Sequence, residues 1–245
     1  MRVAVEVCVA SFAEAEAAAS AGVDSVEVCA WLACGGITPS SGAVDAVRGA
    51  LPLRTRVLVR PTPGSFVYSP TEVQALVTDA EVFGGGALGL VTGALNAGGY
   101  IDEQVVRAVL HAAPESEITF HRAIDHANDM LGALETCIAL GVHRVLSSGG
   151  ETLALDGITR LKAMADRAGN RLVITAAGGI NLTNVVEVVE RTGIREVHFA
   201  AQRTLPAKHL GASMSSANAG VSFETEPDRE KIDGVLNALV KAGLR

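Results

Sequence analysis

Val3-Ala4-Val5-Glu6-Val7-Cys8-Val9 and Val23-Asp24-Ser25-Val26-Glu27-Val28-Cys29 are two short Val-rich runs, separated by an Ala-rich stretch from Ser11 to Gly22. Runs of this length and composition fit strands buried on both faces, and a helix-length insert between two of them is the crossover of a parallel sheet. The quartet Val5-Glu6-Val7-Cys8 returns as Val26-Glu27-Val28-Cys29, one strand-helix-strand step later. Side chains alternate along a strand, so Glu6 and Cys8 share one face while the valines pack on the other. A level register sets Glu6 beside Glu27 and Cys8 beside Cys29, roughly 5 Å apart at the backbone.

Outward from this pair the pattern continues. Apolar runs near 3–9, 24–29, 55–60, 87–92, 117–121, 143–148, 171–176 and 195–200 alternate with amphipathic segments. Eight such units in 245 residues predict one α/β domain, a (β/α)8 TIM barrel spanning 1–245. The hydrophobic fraction is 49% and the aromatic fraction only 4%, so the core is built from Val, Leu, Ile and Ala. Ser11-Phe12-Ala13-Glu14 and Ser69-Pro70-Thr71-Glu72 have the form of capping boxes, and Gly22, Gly141, Gly169 and Gly193 stand where helices hand over to strands. The long segments 30–42, 61–69, 93–101 and 201–226 follow strands and therefore crown the carboxyl end of the barrel, where barrel sites are built. The composition of 201–226 suits an ordered lid, a dimer arm or a flexible loop.

Twenty basic and 27 acidic residues give a formal charge of −7, with Lys and Arg scattered singly, which argues against a nucleic-acid partner. No uncharged apolar stretch is long enough to cross a membrane. The four cysteines (Cys8, Cys29, Cys34, Cys137) are too few for a disulfide framework and form no close Cys-x-x-Cys pattern; they read as reduced thiols of a cytoplasmic protein.

The same alternation directs Glu6, Glu27, Arg60, His121 and His198 into the upper barrel. Ionisable groups there must pair with one another or bind something polar. In one reading the glutamates neutralise Arg60 and the histidines. In the other, Glu6 or Glu27 is a general acid or base, Arg60 anchors an anionic or carbonyl group and His121 assists, as in a lyase, isomerase or hydrolase of a small polar or sugar-like substrate. Arg122 and Asp125 follow His121 closely and either join this chemistry or pair with each other. Ser148-Gly149 and Gly178-Gly179 end strands 6 and 7, where glycines either make tight turns or present amides to an anion. Cys8 and Cys29 either pack as small hydrophobes or hold a soft metal ion such as Cu(I). Cys34 lies in the loop after strand 2, and Cys137 falls in a helix as packing.

Taken in order, Glu6-Val7-Cys8, Glu27-Val28-Cys29 with Gly35-Gly36-Ile37-Thr38-Pro39-Ser40, Val59-Arg60-Pro61, Thr119-Phe120-His121-Arg122-Ala123-Ile124-Asp125, Ser148-Gly149-Gly150, Ala177-Gly178-Gly179-Ile180-Asn181 and Glu196-Val197-His198 resemble the successive signatures of the CutC family over residues 1–203. The resemblance implies a (β/α)8 barrel, a homodimer, and a role in copper homeostasis with cysteines as Cu(I) ligands. Thr62 stands where the family often has a further Arg, and Ala177 where it has Gly.

Overall fold

The computed structural model describes residues 2–85, 87–206 and 224–245. Eight parallel strands close into a barrel: β1 (Ala4–Val9), β2 (Ser25–Val28), β3 (Arg54–Leu58), β4 (Gly89–Thr92), β5 (Ile118–Phe120), β6 (Arg144–Ser147), β7 (Val173–Ala177) and β8 (Glu196–Ala200). β8 pairs back onto β1, with Ala4 level with Glu196 and Cys8 level with Ala200, so no edge is left open. Eight helices alternate with them: α1 (Phe12–Ala21), α2 (Ser41–Ala50), α3 (Pro70–Phe83), α4 (Glu103–Ala112), α5 (Met130–Leu140), α6 (Ile158–Ala168), α7 (Val185–Thr192) and α8 (Arg229–Lys241). Each strand expected from the sequence is present, shorter by up to a few residues.

The helix signals have their physical counterparts. Ser69 and Glu72 form a complete capping box at the start of α3, with Pro70 in the first turn. Ser11 accepts from the Glu14 amide, yet the Glu14 carboxylate reaches past it to the Ala10 amide, so the box expected there is only half formed. Gly22, Gly141 and Gly193 adopt the left-handed conformation; Gly169 also has positive φ, but with ψ of −121° it turns the chain by a different route. Among the described residues no helix is long and apolar enough to cross a membrane.

The core consists of the valines that face outward from the strands and the helix faces that cover them. Val5, Val26, Val57, Val145 and Val197 are fully buried, as are Leu161 and Leu239 on α6 and α8. Cys137 is buried in the same layer, as packing requires. Phe120 belongs to it as well.

The segment after β8 is only partly within view. Gln202–Thr204 (β9) and Thr225–Pro227 (β10) form a short antiparallel pair that bridges back to α8. The remainder of the 201–226 loop, 207–223, lies outside the described residues.

Candidate functional site

The barrel interior divides into two layers. The lower one is an ion-pair network around Glu6, which is fully buried. Its carboxylate accepts from Arg144 at 2.6 Å, from Arg56, from Ser25 at 3.0 Å, and faces His198 Nδ1 at 2.9 Å. Glu196 adds a second acceptor for Arg144 at 2.8 Å. Burial opposes the negative charge on Glu6, but Arg144, His198 and Arg56 together outweigh it and hold the carboxyl well below its ordinary range.

This corrects two expectations. The register is not level: Cys8 is paired with Glu27, and Glu6 with Ser25, because neighbouring barrel strands are staggered. Glu6 therefore sits one layer beneath Glu27, and its charge is balanced by Arg56 and Arg144 rather than by Arg60. It does not line the cavity above and meets it only through His198, which touches Glu6 and faces the cavity.

The upper layer is a cavity of about 490 Å³ at the carboxyl end of the strands. Cys8, Glu27 and His198 form one side, Arg60, Phe66 and His121 another, and Gly178, Gly179 and Lys231 close the rest. Cys8 Sγ lies 3.4 Å from Cys29 Sγ and 3.6 Å from Glu27 Oε1. The two thiols meet although their backbones are offset, since Cys29 continues the inward face of β2 two residues beyond Glu27. Gly36, with φ of 89°, allows the loop after β2 to fold down here against Cys29; a side chain on it would strike Leu58.

Cys8, Glu27 and His198 each offer one ligand atom, and the three atoms lie within 4.8 Å of one another. The thiol of Cys8 is pushed well above its ordinary value by its hydrogen bond with Cys29 and by burial. Burial also raises the Glu27 carboxyl. His198 moves the other way: burial disfavours its charge, but Glu27, Cys8 and Glu6 outweigh that and raise it to about 10. Without a metal, this corner therefore holds Cys8 as a protonated thiol beside an imidazolium.

Across the cavity, Arg60 follows the end of β3 and donates to the carbonyls of Gly36 at 2.8 Å and Gly64 at 3.1 Å. His121 follows β5, and its Nδ1 accepts from the Ala123 amide at 3.2 Å, capping the short helical turn Arg122–His126. Gly93 lies so close to the His121 ring that no side chain would fit between them. Burial and the charge of Arg60 lower His121 to about 3, so it is neutral. Phe66 holds this side together, its ring 5.0 Å from His121, 5.5 Å from His126 and 5.2 Å from the Arg60 guanidinium carbon.

Arg122 and Asp125 do pair, at 2.8 Å. Asp125 also accepts from Ser147 Oγ at 2.5 Å, Ser148 Oγ at 2.8 Å and the Gly150 amide at 3.2 Å, which fully occupies its carboxylate as the tie that shapes the loop after β6. Ser148 is fully buried in that tie, and the Gly149 amide donates to Ser147 Oγ, so neither faces the cavity. A turn of several residues separates them from α6, and another separates Gly179 from α7. Of the four residues expected to cradle an anion, only Gly178 and Gly179 line the cavity.

Arg56, Arg144 and Glu196 in the lower layer, and Phe66, His126 and Lys231 around the cavity, were not singled out from the sequence. For Arg56 and Glu196 a signal was available: each lies an even number of residues from Arg60 or His198 on the same strand path. Phe66, His126 and Lys231 come from loops and a helix, where no period reveals direction.

Residues 3–203 match the model of the CutC family. A family protein CutC from Bacteroides thetaiotaomicron is 37% identical, covering 96% of this chain and 96% of its own length. The copper homeostasis protein cutC homolog of Homo sapiens is likewise 37% identical, over 96% of this chain and 88% of its own. The crystal structure of CutC from Streptococcus agalactiae superimposes with a TM-score of 0.75 at 27% identity, covering 80% of this chain and 98% of that one. N-(5'-phosphoribosyl)anthranilate isomerase from Pyrococcus furiosus reaches 0.60 at 13% identity and shares the fold alone.

Proposed function

The chain belongs to the CutC family, and from that premise we propose that it serves copper homeostasis by binding Cu(I) through Cys8 and Cys29 at the floor of the upper cavity. The observation that carries this reading is the 3.4 Å approach of the two sulfurs inside the barrel. Thiolates are the soft donors that select Cu(I) over hard cations. With metal–sulfur bonds of about 2.3 Å, sulfurs on opposite sides of one ion stand about 4.6 Å apart, so a pair this close fits a bent arrangement completed by a third ligand. His198 is the third donor we assign, since its ligand atom already lies within 4.8 Å of that of Cys8.

Copper is the cargo in this reading, and the protein's part is to exchange protons for it. Cys8, held as a thiol, must release its proton on binding, and His198 must release one to become a ligand. Glu27, beside both, is placed to accept a proton during that exchange. Four free cysteines are consistent with the reducing cytoplasm as the working compartment, and the family resemblance supports a homodimer. X-ray absorption on the Cu(I)-loaded protein tests the ligand set: two sulfurs and one nitrogen at bonding distance support it, and a shell without sulfur refutes it.

A further inference from the structure

Among the described residues, five buried side-chain atoms have no hydrogen-bond partner: Glu27 Oε2, Arg60 Nε, Tyr68 OH, Thr92 Oγ1 and His121 Nε2. They are not dispersed. All come from the carboxyl ends of four consecutive strands, β2 to β5, or from the loop that leaves β3. A buried polar atom without a partner costs about 1–3 kcal/mol, so such a cluster calls for a partner that the chain itself does not provide.

The cluster consists mainly of donors. His121 accepts through Nδ1 from the Ala123 amide, which places the ring proton on Nε2. The other guanidinium nitrogens of Arg60 are used by backbone carbonyls, leaving Nε–H free. The Tyr68 and Thr92 hydroxyls belong to residues that do not line the cavity. Arg60 and His121 line the cavity, where Arg122 and Lys231 add positive charge and, among the described residues, Glu27 is the one carboxylate. Leu58, Phe66 and Leu146 provide apolar surface between them, and about 490 Å³ is the size of a small-molecule site.

We propose that this side of the cavity is a binding site for a small organic anion, whose carboxylate or phosphate oxygens accept from Arg60 Nε–H and His121 Nε2–H while its carbon body rests on Phe66 and the leucines. The site shares the cavity with Cys8 but uses none of its atoms, and Cys29, which touches Cys8, does not line the cavity. Its donors have fixed directions, Arg60 held by three loop carbonyls and His121 by its cap and the Phe66 ring, and because both donor atoms are covered, binding requires a local opening around them.

Calorimetric titration of the metal-free native protein with pyruvate, succinate, glycerol 3-phosphate and inorganic phosphate tests this. The expected result is one-to-one binding of at least one probe, and the probes that bind distinguish carboxylate from phosphate recognition. In His121→Asn the amide oxygen keeps the cap to Ala123 while the cavity donor is lost, so affinity falls about tenfold or more. Because the titration uses metal-free protein and reads His121, its outcome does not depend on whether Cys8 and Cys29 hold Cu(I). In the native protein, the His121 ring-nitrogen resonances shift on adding the probe, a readout that needs no variant. Absence of binding by all four probes, or binding that leaves the His121 resonances unmoved, overturns the proposal.

Discussion

Arg144 and Glu6, 138 positions apart in the chain, meet at 2.6 Å inside the barrel. Arg56 reaches the same carboxylate from β3, and both guanidinium groups are almost fully buried. This contact couples β1, β3 and β6 beneath the cavity and forms the floor on which His198 stands.

Removing one partner of such a pair leaves a buried charge without compensation, which costs about 3–5 kcal/mol. Arg144→Met and Glu6→Gln should each lower the denaturant midpoint accordingly, with the slope of the transition unchanged. A loss below about 1 kcal/mol in both would show that the network is not needed to hold the barrel together.

Asp125 makes a comparable tie higher up. Its carboxylate accepts from Arg122, Ser147, Ser148 and the Gly150 amide, so Asp125→Ala leaves several donors unpaired around one loop. A destabilisation of about 3 kcal/mol is expected, with faster amide exchange confined to the loop after β6. Unchanged exchange there would contradict this role.

The pH dependence of stability follows from His121. Its ring is neutral in the fold, lowered to about 3 by burial and Arg60, whereas the unfolded chain titrates near the ordinary value of 6.5. The unfolded state therefore binds the proton first as pH falls. The contribution of this residue is complete above 6.5 and is lost progressively down to about 3. Histidine NMR at about pH 5 should find His121 still neutral, and His121→Asn should lose less stability than the native protein between about pH 7 and pH 5. A titration near 6.5 in the folded protein would refute it.

Proton release provides a fourth check. Cys8 is held as a thiol and His198 as an imidazolium with a value of about 10, so Cu(I) uptake by these groups displaces protons. Binding should acidify an unbuffered solution and tighten as pH rises. Uptake without proton release would mean that other groups hold the ion.

The barrel was legible because period-two Val-rich runs and capped helices recur in strict alternation, and each local signal agreed with the whole. Alternation also identified the inward faces of Glu27, Cys8, Cys29 and His198. What it could not supply was height: the stagger between neighbouring strands is a property of barrel closure, and it moved Glu6 down one layer, away from Glu27. Arg144 was hidden for a related reason, since a basic residue at the start of a strand reads as its exposed end. Loop residues such as Phe66 and His126 have no period to read, and the spending of Ser147, Ser148 and Gly150 on Asp125 depends on contacts across 22 or more residues.

The central claim is that Cys8 and Cys29 together hold Cu(I). An anaerobic Cu(I) titration against a competing chelator, on the native protein and on Cys8→Ser and Cys29→Ser, tests it most directly. Tight one-to-one binding in the native protein, lost in both variants while their folds persist, is the predicted result; native binding that is weak, or that survives either substitution, would contradict it.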